Sequence, residues 1–227
     1  MSLIARKPRP LSRDTGRFRD DRLFIVACDD TFAPKQYFDF FRIPRIQIHV
    51  VETPDGSSAA GHVLDRLLAV EHDEDDERWL LLDVDHYATG HHLQSLTTAI
   101  AEARRQGVNI AFSKPCFELW LLLHHEPETS LSQLPDAYAV ERALRARLGE
   151  YNKTNLKQEH YPLSAVSAAC ERAERLDSNV LGGDIPKSNT SRVYLIWKAI
   201  AAKALPTQFP IELHGLLPQI NQGIGGS

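Results

Sequence analysis

The chain has 227 residues, of which 43% are hydrophobic and 25% are charged, and its net charge at neutral pH is −4. These values are typical of a globular protein that can bury a sizeable core, and they exclude a chain that is disordered throughout. The apolar stretches are too short to span a membrane, and the start of the chain lacks the apolar segment of a secretory signal. We therefore expect a cytoplasmic protein without membrane contact.

Basic residues are concentrated at the N-terminus. Residues 1–22 contain seven Lys or Arg against three Asp, although the chain as a whole is acidic. Such a segment could contact the phosphates of a nucleic acid, or it could be a solvated, mobile terminus. We assign residues 1–21 as a flexible basic arm.

The cysteines and tryptophans are both expected in the interior. Cys28, Cys116 and Cys170 lack the spacing of a disulfide framework or a zinc site, which favours reduced, buried thiols. Each of the three tryptophans lies in an apolar pattern, which predicts core packing and not a base-stacking surface. They are Trp79, Trp120 and Trp197.

Strand and helix patterns alternate through the first half of the chain, which indicates βαβ units and a parallel sheet. Strands are predicted at 22–29, 45–52, 78–85 and 108–113. Helices are predicted at 34–41, from Ser57 or Ser58 to about Val70, and at 92–106. The parallel crossovers place the loops after the strands at one edge of the sheet, where open α/β folds bind ligands.

The second half of the chain is predicted to be helical, with no further strand after Cys116. Its helices are expected at 117–125, 136–148, 162–176 and 191–204. These patterns predict an α/β domain at 22–125, a helical lobe packed on it at 126–205 and a loose tail at 206–227.

Acidic residues follow two of the predicted strands. Asp83 and Asp85 close the apolar run that begins at Leu80, and alternation along a strand would place both carboxylates on the same side. Asp29 closes the first strand and could reach the same ion if the two strands are neighbours. Carboxylate oxygens at such an edge are typical ligands of Mg²⁺ or Mn²⁺ in phosphate chemistry.

Other residues have two interpretations each. Glu118 opens a helix just after a strand end, so it is a further metal ligand or a carboxylate that favours a first helical turn. Lys153 and Arg192 could neutralise phosphate and Asn189 could orient it, or all three could be ordinary surface residues. The aspartates could likewise be turn formers at strand ends.

Several sequence blocks resemble the RloB family of bacterial defence proteins, which are similar to Toprim nucleases. The likeness covers about residues 22–200, and its most specific block runs from Ser113 to His124. The other blocks are Phe24–Asp30 followed by Tyr37-Phe38, Leu82–Asp85, Tyr151-Asn152-Lys153 and Ser188–Ser191. The resemblance implies a Toprim-like α/β fold, a parallel β-sheet flanked by helices with a C-terminal helical lobe.

The same resemblance implies a function. A family member would be a nuclease that depends on Mg²⁺ or Mn²⁺, cleaves RNA such as tRNA, or DNA, in antiphage defence, and works with an AAA or ABC-type ATPase encoded nearby. The sequence contains no Gly-x-x-x-x-Gly-Lys-Ser/Thr loop of its own. The implied metal ligands are Asp29, Asp83, Asp85 and Glu118, with Lys153 as a further catalytic residue.

Two departures from the family pattern keep a second function open. The family's glutamate falls on Asp29 and its glycine on Asp30, so the first carboxylate is shorter and a charge is added beside it. The chain could thus be a nuclease or a catalytically altered binding or regulatory subunit; a phosphatase-like hydrolase is a third candidate. Assembly into a homo-oligomer is left open.

Overall fold

The computed structural model describes residues 21–53, 56–87 and 92–218. Within them, five strands form one sheet in the order β2-β1-β3-β4-β5, in which β1 to β4 are parallel and β5 is antiparallel to β4. The strands are β1 Arg22–Cys28, β2 Ile46–Val51, β3 Glu77–Asp83, β4 Asn109–Lys114 and β5 Thr190–Ser191. This topology brings the ends of β1 and β3 side by side.

The helices cover both faces of the sheet. The first group is α1 Phe32–Asp39, α2 Ala60–Leu68, α3 Val84–Tyr87 and α4 His92–Arg105. The second group is α5 Glu118–Leu123, α6 Glu128–Leu131, α7 Ala137–Leu148, α8 Leu163–Asp177 and α9 Val193–Lys203, with two 3₁₀ helices at Gln158–His160 and Ile211–Leu216. No helix in these described ranges is both long and apolar enough to cross a membrane.

Side chains alternate between two hydrophobic cores along the central strands. Leu80 and Leu82 of β3 pack with α2 and α4, whereas Trp79 and Leu81 pack with α1, α5 and the C-terminal helices. Because both faces are covered, the central strands are apolar along most of their length. Asp83 follows in the same alternation and belongs to the face on which α5 lies.

The mostly parallel sheet and its flanking helices confirm the predicted α/β fold class. The expectations for the cysteines and tryptophans are also confirmed, since all three cysteines are free and buried and the tryptophans are at most 6% exposed. The division into domains stays a prediction. One continuous core contains side chains of the sheet and of the C-terminal helices together.

Three expectations about elements were wrong. Strand β3 ends at Asp83 instead of Asp85, and the chain turns directly into α3. A fifth strand, Thr190–Ser191, exists although none was expected after Cys116; it is only two polar residues long, so it carries no apolar alternation.

The third correction concerns the tail. Residues 206–218 are not loose, because Phe209, Leu213 and Leu216 are buried in the same core as α8 and α9. The remainder of the predicted tail, residues 219–227, lies outside the described residues, as do residues 1–20 of the predicted arm.

Candidate active site

Asp29 and Asp83 meet where β1 and β3 end. The Oδ2 atom of Asp29 accepts a hydrogen bond from the backbone N–H of Asp83 at 3.1 Å, and its Oδ1 atom accepts one from the N–H of Asp30 at 3.0 Å. The backbone pairing between β1 and β3 ends at Cys28 and Leu81. Beyond that point, the side chain of Asp29 accepts the hydrogen bond from the N–H of Asp83. The predicted proximity of these two aspartates is therefore present in the structure.

Burial dominates the electrostatics of this pair. It raises the pKa of Asp29 above the usual carboxyl value, although the backbone N–H groups of Asp83, Asp30 and Asp29 itself act in the opposite direction. Burial also raises the pKa of Asp83, and the negative charges of Asp29 and Glu118 raise it further. The carboxylates are thus held together at a cost that a nearby positive charge would relieve.

Glu118 joins the pair from the first turn of α5. Its charge acts on Asp83, and its Oε1 atom accepts a hydrogen bond from the hydroxyl of Tyr151 at 2.7 Å. Burial and the Glu118 carboxylate raise the pKa of Tyr151, so this hydroxyl keeps its proton and remains a donor. Tyr151 belongs to one of the sequence blocks that resemble the RloB family, but its bond to Glu118 joins residues 33 positions apart, which no local pattern predicts.

The donor set fits a hard divalent cation such as Mg²⁺ or Mn²⁺. Asp29, Asp83 and Glu118 offer only carboxylate oxygens, and an oxygen that accepts one N–H bond retains a second lone pair. Burial raises the pKa of Cys28 and of Cys116, which keeps both neighbouring thiols protonated and unsuited to soft-metal binding. In the described ranges, no group of three or more His, Cys, Asp or Glu side chains is already spaced to hold a metal ion.

Asp85 is not placed as the sequence predicted. Since β3 ends at Asp83, strand alternation does not apply, and Asp85 lies in the first turn of α3. Its Oδ1 atom forms an ion pair with the Nζ atom of Lys114 at 2.8 Å, and its N–H donates to the carbonyl of Pro115 at 3.4 Å. The expectation that Asp83 and Asp85 share one side of a strand was therefore wrong.

Lys153 is brought to the carboxylate edge by a loop of the second half. Its Nζ atom lies 2.7 Å from Oδ2 of Asp30, and this hydrogen bond raises the pKa of Lys153. The amide of Gln36 on α1 holds the loop: it donates to the carbonyl of Lys153 at 2.7 Å and accepts from the N–H of Leu156 at 2.8 Å. Gln36 had no recognisable signal in the sequence because these contacts span about 120 positions.

An open cleft of about 380 Å³ gives access to the aspartates and to Lys153. Its wall includes Ser58 and His86, whose Oγ and Nε2 atoms are 2.8 Å apart. Asp85 is not one of the described residues that line the cleft. The cleft thus combines half-buried carboxylates, the ammonium group of Lys153 and polar side chains that can bond to an anionic substrate.

Arg192 and Asn189, which could contact phosphate according to the sequence, form hydrogen bonds within the helical lobe. Arg192 pairs with Asp177 at 3.0 Å and donates to two backbone carbonyls, while the Asn189 amide donates to the carbonyls of Leu131 and Leu134. These contacts give Arg192 and Asn189 a structural role in the lobe, and contact of either residue with phosphate stays a prediction.

Comparison with known proteins gives one positive result. The model of the family described as RloB-like protein matches residues 24–200 of the chain, which confirms the family assignment made from the sequence blocks. Neither the curated proteins nor the solved structures include a significant match.

Proposed function

The chain belongs to the RloB-like family, and on that premise we propose that it is a Toprim-like nuclease that depends on Mg²⁺ or Mn²⁺. It would hydrolyse phosphodiester bonds of RNA or DNA in antiphage defence. The observation that carries the proposal is the convergence of Asp29, Asp83 and Glu118 at the carboxyl end of two neighbouring parallel strands and the helix beside them.

The residues of the site have separate tasks in this proposal. Asp29, Asp83 and Glu118 would hold the cation, and Tyr151 keeps the Glu118 carboxylate oriented through its 2.7 Å bond. A bound divalent cation would stabilise the negative charge that develops on the phosphate oxygens. Lys153, at the rim of the cleft, binds a phosphate of the substrate and so offsets the repulsion from the acidic edge.

Control by a partner is a separate part of the proposal. We propose, from the resemblance to the RloB family, that an AAA or ABC-type ATPase regulates the nuclease; that ATPase would be another chain, since this sequence has no phosphate-binding loop of its own. Co-purification of the two proteins from cells that express both genes would support this part. Identical cleavage with and without the ATPase would contradict it.

The defining experiment measures cleavage of labelled tRNA, single-stranded RNA, single-stranded DNA and duplex DNA in Mg²⁺ or Mn²⁺. Asp29→Asn and Asp83→Asn should each reduce the rate by about a hundredfold or more, because a catalytic cation contributes several kcal/mol. The control is Glu171→Gln, which removes an exposed carboxylate of α8. If the parent cleaves and all variants match it, the site is wrong.

The second candidate is a binding or regulatory subunit, and the ion pair between Asp30 and Lys153 favours it. That pair neutralises a cation at the rim of the cleft. The second function is supported if the purified chain binds nucleic acid but cleaves none of the four substrates in either metal. Hydrolysis of a small phosphomonoester alone would instead support a phosphatase-like enzyme.

A further inference from the structure

Phe32 is exposed at the rim of the cleft that holds the aspartates. It is the first residue of α1, its side chain is 57% exposed, and it lines the cleft together with Asp29 and Lys153. Single exposed apolar residues are common on proteins and need no special explanation. Among the described large apolar residues that are exposed, however, Phe32 alone borders this cleft.

The backbone of Phe32 is firmly held. Its N–H donates to Oδ1 of Asp30 at 3.0 Å, and its carbonyl accepts from the Gln36 amide at 2.8 Å. The same Gln36 amide holds the loop that carries Lys153. The ring and the lysine are therefore positioned by one set of hydrogen bonds, which lowers the entropic cost of presenting both to a ligand.

The ammonium group of Lys153 lies over the exposed ring of Phe32. The Nζ atom of Lys153 is 5.9 Å from the centroid of the Phe32 ring, within cation–π range, while the same atom is paired with Asp30. Half of the Lys153 side chain is exposed, so both interactions are solvated and weak enough for a ligand to replace. An aromatic face beside an ammonium group matches a nucleotide, which offers a planar base next to a phosphate.

We propose that Phe32 and Lys153 form a subsite for an unpaired nucleotide next to the scissile phosphate. The base stacks on the Phe32 ring in the place that the ammonium group now occupies. The ammonium group then binds the phosphate of that nucleotide in place of Asp30. This inference deepens the proposed function and rests on it for the position of the scissile bond.

The subsite selects single strands for an energetic reason. Bases in a duplex already stack on their neighbours, and turning one out costs a few kcal/mol, whereas an unpaired base reaches the ring at little cost. Because every base has a π-face, the preference is for strandedness and not for sequence. The chemistry is shared by RNA and DNA.

The test uses fluorescence anisotropy of the full chain with a labelled 12-nucleotide RNA, the same DNA strand and the blunt duplex of each. Ca²⁺ replaces Mg²⁺ so that binding is measured without cleavage. Phe32→Ala should weaken binding of single strands by about 5- to 100-fold and binding of the duplex by less than about twofold, and Phe32→Trp should bind at least as tightly as the parent. The matched control is Tyr138→Ala, because Tyr138 is 73% exposed on α7, away from the cleft.

The outcomes separate the two proposals. Equal single-strand affinity of Phe32→Ala and the parent, or an equal loss for single strands and duplex, overturns the subsite. Cleavage that needs Asp83 but does not respond to Phe32→Ala leaves the nuclease standing and removes the subsite. Single-strand binding that needs Phe32 in a chain that never cleaves supports the subsite and refutes the nuclease. Thermal unfolding of each variant checks that the fold is intact.

Discussion

Asp30 links the acidic and basic parts of the cleft. It follows Asp29 directly, and its carboxylate is paired with Lys153 at 2.7 Å. We expect Asp30→Asn to release the lysine for phosphate, to tighten oligonucleotide binding about 2- to 10-fold and to steepen the dependence of log K on log salt by about one unit. Affinity measured across a series of KCl concentrations tests this. Asp39→Asn, which removes a comparable exposed pair with Lys35, is the control and should leave the slope unchanged.

Asp85 and Asp83 are expected to differ in their contribution to cleavage, although they are two residues apart. Asp83 lies against Asp29 and Glu118, whereas Asp85 is engaged with Lys114. Asp85→Asn should therefore retain at least about tenfold more activity than Asp83→Asn, since it removes a half-buried ion pair and not a proposed metal ligand. Rates at saturating Mn²⁺ decide the matter. Equal losses in the two variants would return Asp85 to the set of ligands.

At the scale of elements, the side chain of Gln36 ties helix α1 to the loop that follows α7. Its amide makes one bond to the carbonyl of Lys153 and one to the N–H of Leu156. Gln36→Leu should lower the free energy of unfolding by about 1–3 kcal/mol, because both loop groups lose their partner. Urea unfolding measures the loss, and hydrogen exchange should quicken at residues 151–157. Gln133→Leu, at an exposed position between α6 and α7, should change neither quantity.

The elements with a strong local signal were the ones that could be predicted from the sequence. Strands β1 and β3 have apolar runs that both cores require, and their carboxyl ends placed Asp29 and Asp83 correctly. The end of β3 was missed because the turn into α3 is held by residues distant in the sequence, as in the contacts of Asp85 with Lys114 and with the carbonyl of Pro115. Phe32 and Gln36 were missed because their roles depend on a loop far along the chain.

For the molecule as a whole, buried titratable groups make stability depend on pH. His124 lies in the core, with Nε2 3.1 Å from the hydroxyl of Tyr37, and burial lowers its pKa to about 3. A histidine in the unfolded chain takes up its proton near pH 6.5. Between pH 6.5 and 3 the unfolded state therefore binds more protons than the folded state, and the free energy of unfolding decreases as the pH is lowered. His124 alone should account for a slope of about 1.4 kcal/mol per pH unit in that window.

Unfolding by urea between pH 4.5 and 7.5 tests the role of His124. The His124→Gln variant keeps an acceptor for Tyr37. The slope of its free energy of unfolding against pH should be smaller by the contribution of about one proton. Asp29 and Asp83 act with the opposite sign, because their raised pKa values favour the folded state as pH falls, so the comparison with the parent isolates the histidine. His72→Gln, at an exposed position, should run parallel to the parent. Parallel curves for His124→Gln would refute the assignment.

Helix α5 has a consequence for how an outside signal could reach the site. Its side chains from Leu119 to Leu123 are all buried, it packs against both α7 and α8, and its first residue is Glu118. Because close packing leaves the helix little room to deform, a displacement at one of its ends is passed on to the other end. A protein that binds the outer surface of α7 or α8 and displaces either helix would therefore also shift α5 and the Glu118 carboxylate that acts on Asp83. Switching would require a shift of about an ångström and no unfolding.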